Sequence, residues 1–308
     1  MTHAALAECL RAATPPERCD TVADWWPQWR ALPADADPAT LALRGGFGAD
    51  RVGWAFAAGY QAALRALLPT LPRDAMAALC VTEATGNRPR DVLTTFTPLP
   101  DGGVRVDGAK RWTTLGPAAT LLLVVGRRAD FSAERPHLQV ALVPGGTPGL
   151  ALQPLPGLHV VPEVPHAALT LSGVVLGADA LLPGDGYDTV VKPFRTLEDV
   201  HVTLAVVAHL LRQARSRGWP AELAERLAAV AALLLQLAGQ DPDAASTHVL
   251  LGGALQLARQ LYADVSTLHA TTPDDAASQR WARDSALFNV AASARAQRAA
   301  RAWQRLSA

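Results

Sequence analysis

The feature that most restricts the fold of this chain is a double change of texture along it. Residues 1–78 read as short helices broken by prolines, residues 79–186 as short strands separated by Gly and Pro, and residues 187–308 as helices again. That order sets a compact β-domain within a mainly helical protein.

The clearest early helix covers residues 51–68, with Val52, Ala55, Phe56, Tyr60, Ala63, Leu64 and Leu67 at helical spacing and Pro69 and Pro72 closing it. In the middle stretch, residues 93–97 are followed by a turn over 98–103, a strand at 104–106 and a second turn at Asp107-Gly108. Residues 121–125, 138–143, 168–171 and 174–175 repeat the strand pattern, which argues an antiparallel barrel or sandwich of roughly 100 residues. Residues 196–217 then form a helix apolar on nearly every side, as a buried helix must be. Stretches 221–238, 248–269 and 276–306 supply three more, and their short connections predict an antiparallel bundle.

Composition narrows the function. Among 308 residues, 28 Lys+Arg balance 28 Asp+Glu, which argues against an extended nucleic-acid surface. Half of the residues are apolar and 18% are charged, enough for a large core. Only Lys110 and Lys192 are lysines; the arginine and alanine excess reads as a GC-rich, bacterial coding bias. Cys9, Cys19 and Cys80 show no CxxC spacing, and an odd count fits a reducing compartment. No apolar stretch near the start reads as a signal peptide, and the longest apolar run, 227–239, falls short of the ~18 residues of a membrane span. The expected location is cytoplasmic.

There is no P-loop, no GxGxxG after a strand, no HExxH and no GxSxG. The histidines are dispersed, so no metal site is expected. Gly45-Gly46-Phe47-Gly48 reads as a loop between two helices, and Gly252-Gly253 as a close helix contact.

The informative stretch contains Cys80-Val81-Thr82-Glu83 and then Asp107-Gly108-Ala109-Lys110-Arg111-Trp112-Thr113-Thr114. Here the chain resembles the acyl-CoA dehydrogenase family, which carries a Val-Thr-Glu-Pro-type segment and, further on, Asn-Gly-x-Lys-x-Trp-Ile-Thr. Gly108, Lys110, Trp112 and Thr114 match the second motif, with Asp107 in place of Asn. Residues 174–186 look like the family's exit strand leading into its first bundle helix, and the resemblance is strongest over residues 52–190.

The resemblance implies an α+β, mainly α fold: an N-terminal helical region (1–78), a central antiparallel β-barrel domain for flavin and substrate (79–186) and a C-terminal antiparallel helical bundle (187–308). It implies bound FAD, with Leu79, Val81 and Thr82 lining the flavin, Trp112 packed against its ring, and Thr113 and Thr114 contributing polar contacts, Thr114 near N5. It further implies α,β-dehydrogenation of acyl-CoA or a related acyl thioester. The plainer reading of Trp112 and its neighbours is a core Trp and ordinary strand threonines.

Departures from the family bear on the chemistry. Residues 84–91 replace its Pro-Gly-Ala-Gly-Ser-Asp segment, so the serine expected to contact acyl-CoA has no counterpart. Arg88 and Arg90 in that stretch are candidate partners of a phosphate or carboxylate, or else solvated loop charges. Residues 215–220 sit near the place of the family's arginine-aromatic-glycine segment without matching its spacing, and its Gln-x-x-Gly-Gly segment is not found. The family's alternative placement of the base, a glutamate on the first bundle helix, falls near Glu198, with Asp199 second. The plainer reading makes both of them acids at a helix start, where the helix dipole favours the charged form and lowers the pKa. The alternative function is a catalytically degenerate relative that keeps the scaffold as a binding subunit, in a homodimer or a hetero-oligomer with a related chain.

Overall fold

The computed structural model describes residues 2–12, 15–132 and 137–307. They pack as two compact units: a helical one, Met1–Pro69, Leu158–Glu163 and Phe194–Ala308, and a β one, Thr70–Gly157 and Val164–Pro193.

The helical unit contains α1 (Thr2–Arg11), α2 (Val22–Arg30), α3 (Pro38–Gly48) and α4 (Val52–Leu67), then α5 (Lys192–Ser216, in this unit from Phe194), α6 (Ala221–Leu237), α7 (Ala245–Ala270), α8 (Ala276–Asp284) and α9 (Ala292–Leu306). Local chemistry sets several starts. Thr21 and Asp24 form a reciprocal capping box on α2, Asp37 caps α3 ahead of Pro38, and Asp275 accepts from Ala277 N and Ser278 N to start α8.

Residues 45–48, expected as a loop, lie inside α3. The physical reason is in α5. A Cβ on Gly46 would stand 2.1 Å from the Ala205 carbonyl oxygen, and one on Gly59 of α4 would stand 2.5 Å from the Val202 Cα. These glycines let two helices approach the α5 backbone, whose Leu204, Ala205, Val207, Ala208 and Leu211 are fully buried. Arg212 and His209 of α5 complete the end of α3: Arg212 donates to Phe47 O and Ala49 O, each at 2.8 Å, and His209 Nδ1 donates to Ala49 O at 2.9 Å. A Cβ on Gly252 would stand 3.4 Å from the Ala299 Cβ of α9, an ordinary contact distance, whereas one on Gly253 would meet nothing within 4 Å.

The stretch 276–306 is interrupted. After α8 comes a 3-10 turn over Ser285–Asn289, and Ala291 at φ 62° starts α9. The segment Leu158–Glu163 packs with these helices: Val161 N donates to Asp284 Oδ1 at 2.8 Å, and Arg283 pairs with Glu163 at 3.2 Å.

Among its described residues the β unit has β1 (Ala77–Cys80), β2 (Thr95–Pro98), β3 (Val104–Thr114), β4 (Leu121–Arg128), β5 (Leu138–Pro144), β6 (Leu150–Pro154) and β7 (His166–Leu176). The order is β1-β4-β2-β3-β7-β6, with β5 also paired to β4. This corrects the expected antiparallel barrel: the sheet is open and mixed. β1 and β2 both run parallel to β4, while β5 pairs antiparallel along its other edge. The chain between β1 and β2 advances without reversing, and short strands with turn residues do not record that direction. Phe96, Val106, Leu122, Val124, Ala141 and Leu169 form the core of this unit.

Asp107-Gly108, expected as a turn, is instead a bulge within β3, where the register with β7 shifts. Gly108 has φ 153°, and a Cβ there would stand 2.5 Å from Thr94 Oγ1. Residues 168–171 and 174–175 belong to one strand, β7. All three cysteines are free and buried. Among the described residues, no helix is long and apolar enough to cross a membrane.

Candidate functional site

The site in the β unit is built where the segment after β1 lies beside the end of β3. Arg111 N donates to Thr82 O at 2.7 Å, and the Thr113 hydroxyl reaches the Cys80 sulfur at 3.8 Å. A buried ion pair fixes this junction: Lys110 Nζ stands 2.6 Å from Glu83 Oε1. Glu83 also accepts from Leu93 N at 2.7 Å, Thr94 N at 2.9 Å and the Thr94 hydroxyl at 2.7 Å. Burial would raise the Glu83 pKa, but the Lys110 charge and these donors hold it below the usual carboxylate range. For Lys110, burial outweighs the carboxylate and pulls its pKa below the ordinary lysine range. Both residues belong to the recognised motifs. Their mutual pairing was missed, and the only signal for it was two opposite charges set among strand residues.

Trp112 is the unusual residue. Between Lys110 and Thr113 the register with β7 shifts, and Trp112 takes φ 61° with 43% of its surface exposed. Leu115 at φ 59° repeats the left-handed backbone three residues later. Two non-glycine residues in this region mark a strained, specified geometry. The indole meets the His166 ring edge-on at 6.4 Å, and the Arg111 guanidinium lies 5.3 Å from its centroid. Thr114 is half-buried, with its hydroxyl 3.3 Å from His166 Nε2. His166 Nδ1 donates to Val164 O at 3.0 Å, so Nε2 is the bare nitrogen and accepts the Thr114 proton. Burial pulls the His166 pKa below the ordinary value against the pull of the Val164 carbonyl, so the ring is neutral at pH 7.

Leu79, Val81 and Thr82 are half-buried, and Thr113 is buried against Cys80. The structure thus brings Leu79, Val81, Thr82, Trp112, Thr113 and Thr114 onto adjoining segments of one unit. An exposed indole beside a hydroxyl and half-exposed aliphatic groups suits a flat heteroaromatic ring, which needs a broad apolar cover and a few polar contacts at its edge. On that ground the residues present fit a flavin.

Arg88 and Arg90 are both exposed, on a loop tied by Asp91, which accepts from Arg88 N at 3.1 Å and stands 3.7 Å from Arg90. Neither carries a preformed pocket for an anion.

Glu198 and Asp199 lie on α5 in the helical unit. Asp199 is buried and is held by Arg295 at 2.8 Å and by Arg298, both from α9. Glu198 is half-buried and makes no hydrogen bond or ion pair among the described residues. Its pKa is pushed up to about 7, first by burial and then by the Asp199 charge, against Arg295 and Arg195. Burial therefore reverses the lowering expected of an acid near a helix start. Among the described residues, no group of three or more His, Cys, Asp or Glu could hold a metal ion.

No protein-family profile matches the chain. A curated protein of Mycobacterium tuberculosis, described as a probable acyl-CoA dehydrogenase, FadE10, is 32% identical over 91 residues. That match spans 29% of this chain and only 14% of the relative's length. Among solved structures, butyryl-CoA dehydrogenase from Megasphaera elsdenii superposes with a TM-score of 0.67 at 14% identity, covering 88% of this chain and 83% of that one. FMN-bound TdsC from Paenibacillus sp. A11-2 superposes with a TM-score of 0.69 at 16% identity, covering 89% and 85%; the same protein is described as a dibenzothiophene monooxygenase. The chain has the acyl-CoA dehydrogenase fold. That scaffold serves flavoproteins of more than one chemistry, so the reaction has to be argued from the site.

Proposed function

We propose that this chain is an FAD-binding oxidoreductase that carries out α,β-dehydrogenation of an acyl thioester, acyl-CoA or a close relative of it. The observation that carries this reading is Trp112, a half-exposed indole held in left-handed backbone next to Thr114 on a fold shared with flavoproteins. Trp112, Thr114 and the segment from Leu79 to Thr82 would hold the flavin ring. When bound, the cofactor supplies a two-electron acceptor for the β-hydrogen, which leaves the substrate as hydride.

The remaining chemistry belongs to the chain. Glu198 is the base for the α-proton. A carboxyl with a pKa near 7 is half ionised at neutral pH and basic enough to take a proton from carbon. Asp199, paired with two arginines, keeps α9 against α5, and its negative charge helps raise Glu198. The Glu83–Lys110 pair fixes the segment after β1 against β3. Three free, buried cysteines suit a reducing, cytoplasmic setting.

Purified protein is expected to be yellow, or to become so on reconstitution with FAD, and a panel of acyl-CoA thioesters should bleach it anaerobically. Glu198→Gln should retain the cofactor and lose at least 100-fold in bleaching rate. In the native protein the rate should rise with pH through about 7, as Glu198 loses its proton. A colourless protein that takes up no FAD overturns the reading and leaves a degenerate scaffold, as one subunit of an oligomer, in its place. Unchanged bleaching in the glutamine variant removes Glu198 from its role.

A further inference from the structure

The site in the β unit contains one polar residue with no part in the proposed reaction, His166 at the start of β7. Its backbone is held from both sides. It stands opposite Thr114 in the β3–β7 register, and its carbonyl accepts from Leu155 N at 2.9 Å. Beside it, Leu115 N donates to Pro165 O at 2.8 Å. The ring is held as well. Trp112 meets it edge-on, and its Nδ1 is bound to the Val164 carbonyl at 3.0 Å.

A carbonyl only accepts, so Nδ1 carries the proton of the neutral ring and Nε2 is a bare acceptor. The Thr114 hydroxyl, 3.3 Å away, is the donor that Nε2 meets. A threonine hydroxyl has one proton and two lone pairs. With the proton turned to His166, only the lone pairs are left for a ligand at this edge of the site. Burial keeps His166 neutral at pH 7, so the direction of the bond is fixed there.

We infer that His166 is a positioning residue that turns the Thr114 hydroxyl into an acceptor and so makes the bound flavin easier to reduce. The inference rests on the proposed flavin site, in which Thr114 stands near N5. Oxidised flavin offers a lone pair at N5, and reduced flavin offers an N–H. A hydroxyl free to rotate serves either state, donating to the first or accepting from the second. One whose proton is committed to His166 serves only the reduced state. A single hydrogen bond of this kind is worth about tenfold in an equilibrium, or about 30 mV for a two-electron couple.

The test is the two-electron midpoint potential of the FAD-loaded protein at pH 7. His166→Phe keeps an aromatic ring against Trp112 and removes the acceptor. It should favour the oxidised flavin about tenfold, a fall of about 30 mV. His166→Gln, whose amide oxygen can take the Thr114 proton, should stay within about threefold of the native protein. In a Thr114→Val background the exchange of His166 for Phe should leave the potential unchanged. The protein without flavin gives a second readout. Its histidine ¹H–¹⁵N spectra, with His166→Gln identifying the signals, should show His166 protonated on Nδ1, and Thr114→Val should move the Nε2 resonance. A proton on Nε2 overturns the inference. So does a potential unmoved by His166→Phe, lowered equally by His166→Gln, or moved as much when the Thr114 hydroxyl is gone. A native protein that takes up no FAD overturns the flavin reading itself, and this inference falls with it.

Discussion

Glu198 and Asp199 are adjacent acids on one helix with opposite fates. Asp199 forms ion pairs with two guanidinium groups from α9, whereas Glu198 forms none among the described residues and feels Arg295 and Arg195 only at a distance. Nothing local separates them, because the arginines lie about a hundred residues further along the chain. The same reason hid the Glu83–Lys110 pair, whereas Trp112 was legible from its motif. Its left-handed backbone was not, since it arises from the register shift against β7. The acids give a prediction with a definite sign. The Glu198 pKa is raised from the ordinary 4.5 to about 7, so its carboxyl adds stability below pH 4.5 that is lost as pH rises through about 7. Glu198→Gln, with nothing to ionise, should match the native protein at pH 4.5 and exceed it by about 2 kcal/mol at pH 8.5, allowing for partial exposure. Urea midpoints at the two pH values decide this, and equal midpoints at pH 8.5 contradict it. Asp199→Asn should cost about 3 kcal/mol, because two partly buried arginines lose their shared anion.

At the scale of elements, helix faces were readable and glycines misled. The helix over 51–68 was found almost as α4 runs, because its apolar spacing is local information. Gly45-Gly46-Phe47-Gly48 reads in sequence as a loop between two helices, and each glycine inside a helix costs about 1 kcal/mol relative to Ala. What outweighs that cost is the approach of α3 to α5, which local spacing does not reveal. Asp107-Gly108 failed likewise, since the same dipeptide serves a turn or a bulge. The packing role is testable. Gly46→Ala would place a methyl 2.1 Å from a backbone oxygen of α5, a clash that no side-chain motion relieves. It should destabilise the protein by about 3 kcal/mol or more. Gly48→Ala, in the same helix and facing open space, should be neutral or gain about 0.5–1 kcal/mol. Thermal melts of the two variants check the contrast, and similar melting temperatures would mean that α3 and α5 do not meet as described.

For the whole molecule, the helix–strand–helix order was plain in the texture, while the form of the sheet was not. Strand length and turn residues predict that a sheet exists, but not that β1 and β2 run parallel to β4 or that the edges stay open. The global response to acid follows from burial in the helical unit. His201, His209 and His269 are all buried there, and burial pushes their pKa values down to about 4, about 3 and about 4. Each has a hydrogen-bond partner that suits the neutral ring: His201 Nδ1 donates to Leu197 O, His209 Nδ1 to Ala49 O, and His269 Nδ1 meets the Ser278 hydroxyl. The unfolded chain protonates these rings near pH 6.5, and the folded unit refuses the protons until about pH 4 or below. Stability is therefore full above pH 6.5 and falls as the pH drops toward 4. Glu198, and Glu163 whose pKa is also raised by burial, act in the opposite sense but are outnumbered, since His166 and His248 are lowered as well. Each net proton is worth about 1.4 kcal/mol per pH unit, so the expected loss approaches the 5–15 kcal/mol that holds a typical domain folded. Helical ellipticity at 222 nm should collapse between about pH 5.5 and pH 4, and the urea midpoint should fall steadily from pH 6.5 downward. His209→Gln should lessen the slope of stability against pH by about one proton, even where it lowers stability overall. A urea midpoint that stays flat from pH 7 to 4.5 would mean that these histidines are charged, and hence exposed, in the folded protein.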